Sequence, residues 1–231
     1  MVELPSARAL FTTRRGGTSQ GPFASLNLGL KTADSREAVI ANRARLSSEL
    51  DLRLSFVRQV HGRRVVSSPE TTDDTAELPE ADGQATGARG IGLAMLAADC
   101  LPVAVASEGG VAMLHAGWRG LAAGVIEEGV GALRAMDGHK MVHAAIGPGA
   151  GPCCYEVGEE VHEAFADRWP DSRRGDNLDL KAIARAQLLE AGAGVVHDAG
   201  LCTICSDPSL FFSHRRDRGI TGRQAGIVWR R

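Results

Sequence analysis

Neither sign of charge dominates this chain. Lys and Arg total 26 against 28 for Asp and Glu, a net charge of about −2, so no overall field draws in a polyanion and nucleic-acid binding is not expected. No Pro/Ser-rich linker, charge block or repeat divides the 231 residues, and the expectation is one domain over 1–231. The opening MVELPSARALFTTRRGG lacks the basic start and apolar run of a secretory signal. The most apolar stretch, Ile91 to Ala106, contains Asp99 and Pro102 and falls short of the roughly 20 residues a membrane span needs. A cytoplasmic chain without a membrane partner is therefore expected. Cysteines are few and odd in number, five in all, which argues for reduced thiols and against a disulfide framework. The groups Arg14-Arg15, Arg173-Arg174 and Arg215-Arg216 read as solvated surface.

What is present is 44% apolar residues, enough for a large core, arranged in runs that alternate between two periods. Residues 8–13, 26–30, 54–60 and 64–66 read as short strands, and Arg36 to Leu50 as an amphipathic helix carrying Asn42 and Arg43. The polar, acidic stretch 67–82 reads as an exposed excursion. Ile91 to Ala97, Pro102 to Ala106 and Val111 to Leu114 read as buried strands, followed by a glycine turn and a helix from Leu121 to Met136 that Gly138 closes. A strand over 142–146, helices over 157–169 and 180–191, and short strands at 195–196, 210–212 and 226–229 complete the pattern. Mixed sheets with helices outside them are the natural packing.

Three metal-ligand residue types stand where apolar strands break off: His61, Cys100 and His115. A thiolate with two imidazoles suits Zn²⁺ and leaves a fourth position for water or substrate. The same His₂Cys set also suits a single copper ion, with Met95 or Met113 as axial ligand. From residue types alone a histidine at a strand end is more often a hydrogen-bonded core or surface residue, and a buried cysteine is common for packing alone. The turn His115-Ala116-Gly117-Trp118-Arg119-Gly120 either brings backbone N–H groups and Arg119 toward an anion or simply makes a tight corner with Trp118 in the core. Cys153-Cys154 lie in a second glycine-proline turn. Cys202-Thr203-Ile204-Cys205 is one C-x-x-C without a matched second pair, which reads as buried thiols before redox chemistry or half a zinc site.

Taken in order, Ser25-Leu26-Asn27-Leu28-Gly29, Asn42-Arg43, Gln59-Val60-His61-Gly62, Ala98-Asp99-Cys100-Leu101-Pro102 and His115 to Gly120 resemble the YfiH-type family. It is known also as the laccase-domain or polyphenol oxidoreductase family, the purine nucleoside phosphorylase family and the peptidoglycan editing factor family. Further matches are Ile146-Gly147-Pro148, Cys154-Tyr155-Glu156-Val157-Gly158, Leu178-Asp179-Leu180, Phe211 to Arg216 and Thr221-Gly222-Arg223-Gln224, so the similarity spans nearly the whole chain. The resemblance implies an α+β fold of mixed sheets layered with helices as α/β/β/α. It implies a zinc site on His61, Cys100 and His115, an active-site Arg43, and Asn27 or Asn42 as substrate contacts; Arg119, in the turn after His115, is expected to bind substrate by neutralising phosphate.

The resemblance further implies phosphorolysis of adenosine, inosine, guanosine or methylthioadenosine, with adenosine deamination beside it. The partners are then a purine nucleoside and phosphate, and the chain is expected as a monomer. A zinc ion lowers the pKa of bound water toward about 7, which accounts for deamination more directly than for phosphorolysis. Cys100 and His115 are expected to act catalytically with Arg43, and Asp99 and Glu156 stand as candidates for the unassigned general acid. Two alternatives follow from the same residues. Cys100 as nucleophile with His115 as base makes a cysteine hydrolase of amides or peptides, in keeping with cell-wall editing. A copper-dependent polyphenol oxidoreductase is the other, but seven histidines without an H-x-H pattern do not provide for a full multicopper centre.

Overall fold

The computed structural model describes residues 1–67, 78–138 and 140–231. Its layering follows from alternation along strands that are buried on both faces. In β7 (Leu101–Ala106) and β8 (Val111–Ala116), Leu101, Val103, Val105, Ala112, Leu114 and Ala116 face one way. Ala104, Ala106, Val111 and Met113 face the other. With both faces apolar, the strands read in sequence as uninterrupted runs.

The remaining strands are β1 (Val2–Leu4), β2 (Ala7–Phe11), β3 (Arg53–Ser55), β4 (Val65–Ser67), β5 (Gly83–Thr86), β6 (Ile91–Ala97), β9 (Val142–Ile146), β10 (Arg173–Arg174), β11 (Asn177–Leu178), β12 (Ala193–Asp198) and β13 (Gln224–Arg230). They form a five-stranded sheet in the order β1-β2-β13-β6-β3, a six-stranded sheet in the order β12-β9-β7-β8-β5-β4 and a small β10-β11 hairpin. The helices are α1 (Arg36–Leu50), α2 (Trp118–Ala123), α3 (Val125–Asp137), α4 (Glu159–Ala166) and α5 (Leu180–Glu190). Three apolar clusters fill the spaces between layers: α1 against the five-stranded sheet, sheet against sheet, and the six-stranded sheet against α2 to α5. The result is the layered α/β/β/α arrangement of mixed sheets, an α+β fold.

Several local expectations are corrected. Residues 26–30 and 210–212 form loops, and the strand expected over 54–60 stops at Ser55. Gln59 takes over its role through a side chain that pairs with the Leu96 backbone, accepting from its N–H and donating to its carbonyl at 2.9 and 2.8 Å. The helix expected over 121–136 begins at Trp118 and breaks at Gly124, whose φ of +93° favours glycine. The buried stripe of α1 is Val39, Asn42, Arg43 and Leu46, an i, i+3, i+4, i+7 face that is half polar. Of the stretch expected to be exposed over 67–82, residues 68–77 lie outside the described set. Pro79 and Glu80 are exposed, but Ala81 and Asp82 are buried. Among the described residues, no helix is long and apolar enough to cross a membrane.

Candidate metal centre

Strand order brings the site together. β8 runs antiparallel to both β7 and β5, with Leu101 opposite Ala116 and Gly83 opposite Leu114. The end of β8 therefore meets the beginnings of both neighbours. His115 sits at that end, Cys100 immediately precedes β7, and Asp82 immediately precedes β5. The ligand atoms of His61, Cys100 and His115 lie within 4.8 Å of one another, and the two imidazole rings meet edge to face at 4.8 Å between centroids. His115 is buried, Cys100 half-buried and His61 exposed, so the cluster opens to solvent on the His61 side.

Asp82 builds this arrangement. It is fully buried. Its Oδ1 accepts from the His61 N–H at 2.9 Å and pairs with His115 Nδ1 at 2.8 Å, while Oδ2 accepts from the Val60 and Gly62 N–H groups at 3.1 and 2.7 Å. One carboxylate thus orients the ring of one ligand and shapes the backbone of another. The grip leaves Nε2 as the atom of His115 that could ligate an ion, in the manner of a carboxylate behind a metal-ligating histidine. It also holds His61 at a φ of +62°, and Asp99, next to Cys100, sits at +89°. Such conformations persist only where the surroundings over-determine them. Asp82 belongs to the acidic stretch read as an excursion; the only signal for it was chemical, since a ligating histidine calls for a carboxylate behind it.

Burial alone would raise the Cys100 thiol, but the adjoining His115 and His61 rings outweigh it and bring the pKa down to about 6. Burial alone would lower His115, yet the Cys100 thiolate and Asp82 raise it to about 9. Burial would likewise raise Asp82, but bonds from His115 and from the Gly62 and Val60 N–H groups hold it below the usual carboxylate range. The metal-free pair is therefore thiolate and imidazolium across neutral pH. In chelator-treated protein, alkylation of Cys100 by iodoacetamide should fall by no more than about twofold as pH drops from 8 to about 6. An ordinary thiol would slow about tenfold per unit below its pKa of about 8.5. A Cys100 rate that falls like an ordinary thiol would disprove the pairing.

The other expected site residues lie around this cluster in distinct roles. Arg119 is exposed on α2, with its guanidinium 4.3 Å from the Trp118 ring centre. Arg43 is buried: Nε and Nη2 donate to the Leu28 carbonyl at 2.9 and 2.8 Å, and the group stacks 3.8 Å over Phe56. Asn27 and Asn42 are fully buried, and their side-chain hydrogen-bonding capacity is taken up. Asn27 donates to Thr32 and Asp34 and accepts from the Gly29 and Arg223 N–H groups. Asn42 accepts from Thr18 and donates to Ser19 Oγ and the Ser25 and Asn27 carbonyls. These internal hydrogen bonds of both asparagines fix the 25–29 loop.

That loop in turn steadies Arg223, which sequence reading left without a role. Its N–H binds Asn27 and its carbonyl accepts from Leu28 N–H. Burial lowers its pKa, and the Cys100 and Asp99 charges it faces partly restore it. Tyr155 is raised to about 12, first by burial and then by the Cys100 thiolate, and Arg215 lies over its ring at 5.4 Å. Asp99 is no free acid. Its two oxygens accept from Thr203 Oγ and from the Arg215 N–H, both at 2.7 Å. Glu156 is exposed, and its carbonyl accepts from Arg215. Met95 and Met113 are packed between the sheets. His143, His162, His197 and His214 join no group of ligand-type side chains among the described residues, and His139 lies outside them.

Fold and site together define a class: two stacked mixed sheets between helices, with a histidine-cysteine-histidine cluster at the end of the six-stranded one. The chain belongs to the multi-copper polyphenol oxidoreductase laccase family, which matches residues 8–231. Purine nucleoside phosphorylase PA4543 of Pseudomonas aeruginosa is 40% identical, the match covering 96% of this chain and 93% of that protein. Purine nucleoside phosphorylase YfiH of Escherichia coli is 37% identical, with 96% and 93% covered. The crystal structure of YlmD from Geobacillus stearothermophilus superposes with a TM-score of 0.89 at 37% identity, covering 98% of this chain and 93% of that one. The YfiH-type resemblance and the layered fold are thus both established.

Proposed function

We propose that this chain is a zinc-dependent purine nucleoside phosphorylase. On this reading it cleaves adenosine, inosine, guanosine or methylthioadenosine with phosphate and deaminates adenosine as a side activity. The observation that carries the reading is the meeting of His61, Cys100 and His115 around one point, with Asp82 behind two of them. Relatives of about 40% identity bearing the phosphorylase name support it. The donor set is one thiolate and two imidazoles, which suits Zn²⁺. When bound, the ion supplies Lewis-acid polarisation of an oxygen or ring atom.

The protein's own groups supply the remainder. Phosphate attacks the ribosyl carbon and the purine leaves with the bond electrons, so the site must hold an anion and a flat heterocycle together. Arg119 and Arg215 are assigned to the phosphate, as charges that need no proton transfer at neutral pH. Tyr155, neutral at pH 7, offers a ring face and a hydroxyl donor to the substrate. Arg43, Asn27 and Asn42 are positioning residues, acting through the 25–29 loop on Arg223 beside the thiolate. On this assignment Arg119→Ala raises the KM for phosphate about tenfold, the worth of one partly solvated charge-assisted contact of about 1.5 kcal/mol, and leaves the KM for inosine within about twofold. Equal changes in both would remove Arg119 from phosphate binding.

The test is incubation of metal-analysed protein with adenosine and inosine, with and without phosphate, with chromatographic separation of adenine, hypoxanthine and ribose 1-phosphate and with Cys100→Ala as control. Base release that needs phosphate and disappears together with bound zinc in the variant is the expected result. Zinc-loaded protein that turns over neither nucleoside overturns it. The Cys100–His115 pair favours one second reading, a cysteine hydrolase of amide bonds. Chelators would stimulate that enzyme, since a metal-bound thiolate is not free to attack, and they should instead abolish phosphorolysis. A copper-dependent oxidase reading predicts intense visible absorption of copper-loaded protein, and the zinc enzyme is colourless.

A further inference from the structure

Cys153, Cys154, Cys202 and Cys205 lie in two loops about 50 residues apart, and their four sulfurs fall within 4.8 Å of one another. Cys153 Sγ is 3.5 Å from both Cys205 Sγ and Cys154 Sγ. Four sulfurs at about 2.3 Å from one tetrahedral Zn²⁺ stand about 3.8 Å apart, whereas a disulfide brings two sulfurs to about 2.05 Å. The turn made by Cys202-Thr203-Ile204-Cys205 adds a second, independent observation. The backbone N–H of Gly151, in the opposite loop, donates to Cys202 Sγ at 3.3 Å. An amide donating to a sulfur at the head of a C-x-x-C turn orients that sulfur, the kind of outer contact that supports a metal-bound thiolate. The thiols are half-buried or exposed, which corrects the expectation of buried thiols and leaves the cluster accessible to an ion.

We infer that these four cysteines hold a structural Zn²⁺ in a tetrathiolate site, separate from the His61–Cys100–His115 centre. The residue types exclude a hard cation, and four thiolates with no position left open make a closed site. Binding converts four thiols to thiolates and releases their protons. The ion ties the 151–154 loop to the 202–205 turn, which already touch through the Gly149–Cys202 bridge and the Thr203 N–H bond to the Gly149 carbonyl, 3.0 Å. Thr203, between the two ligands of the turn, is the residue that binds Asp99 beside Cys100. Tyr155 follows Cys154 directly. The second ion therefore braces one wall of the first centre without entering it, and closes a segment that holds α4, α5 and β12.

The inference does not depend on the proposed reaction, because Cys100→Ala removes the first centre and leaves these four thiols in place. Anaerobic titration of that variant with Co²⁺ should give one equivalent bound, with the intense near-ultraviolet charge-transfer bands of a tetrathiolate, bleached by one equivalent of Zn²⁺. Wild-type zinc content should fall by one ion per chain in Cys202→Ser/Cys205→Ser, with a lower thermal midpoint. If that double variant does not fold, the Cys100→Ala titration decides. No Co²⁺ or Zn²⁺ bound by Cys100→Ala overturns the inference. So do four thiols in zinc-saturated protein that react freely with Ellman's reagent, bound iron in place of zinc, or disulfides formed in preference to metal uptake.

Discussion

Asp82→Ala is expected to lower metal affinity at the histidine-cysteine-histidine centre by about 100-fold or more and to destabilise the fold by about 3–5 kcal/mol. The magnitude follows from what one carboxylate holds. It is fully buried and satisfies three successive backbone N–H groups and the His115 ring. Truncation leaves a buried imidazole without its counter-charge and at least two amides without an acceptor, each amide costing about 1–3 kcal/mol unless water enters. For a chain of this size about 2–4 °C of thermal midpoint accompanies each kcal/mol. Asp82→Asn separates positioning from folding. Its amide keeps the volume and one acceptor but turns a donor toward the Val60 and Gly62 N–H groups. The fold should survive while zinc binding weakens by about 10–100-fold, read by competition with a chromophoric chelator. Zinc affinity unchanged in Asp82→Asn would show that Asp82 serves folding only.

Gly117→Val is the second large effect, and it arises from space. The φ of Gly117 is −78°, a backbone any residue adopts, so no strain is added there. A β-carbon at this position, however, would stand 2.9 Å from Cys100 Sγ and 3.4 Å from His61 Cδ2. The branched side chain fills the gap between two ligands of the proposed zinc. Turnover and bound metal should both fall by at least about 100-fold, and stability should shift by no more than about 1–2 kcal/mol, the cost of moderate overpacking. Gly117→Ala should give a smaller loss in the same direction. A valine variant that keeps its zinc and its rate would mean that the ligands converge elsewhere.

The contrast between these residues shows what a linear reading reaches. Strands β6, β7 and β8 were legible because burial on both faces leaves them as uninterrupted apolar runs, and their breaks exposed Cys100 and His115 as ligand types. His61 was legible at the end of another apolar run, although the strand proper ends at Ser55 and Gln59 mimics its continuation. Asp82 was not legible. A carboxylate at the end of an acidic stretch of sequence has the same local appearance whether it meets solvent or three amides and an imidazole. Asn42 and Arg43 were placed on the correct helix, but their face was hidden because the buried stripe of α1 is half polar.

Composition and period pointed to mixed sheets with helices outside as the way to bury every apolar face; the two-sheet layering came with the family resemblance and is seen in the structure. The kinds of ligand, two imidazoles and a thiolate, were likewise written in the chain. Which atoms meet was settled by strand order, since β5, β7 and β8 are neighbours only once the six-stranded sheet has formed. The four cysteines make the same point more sharply. Cys153-Cys154 and Cys202-x-x-Cys205 are each unremarkable over a few residues, and the 3.5 Å between Cys153 and Cys205 exists only because β9 and β12 lie side by side in parallel and deliver the loops after them to one place. Short-range pattern carries secondary structure because propensity and periodicity are local. Convergence of distant groups is a property of packing, which no window of the sequence contains.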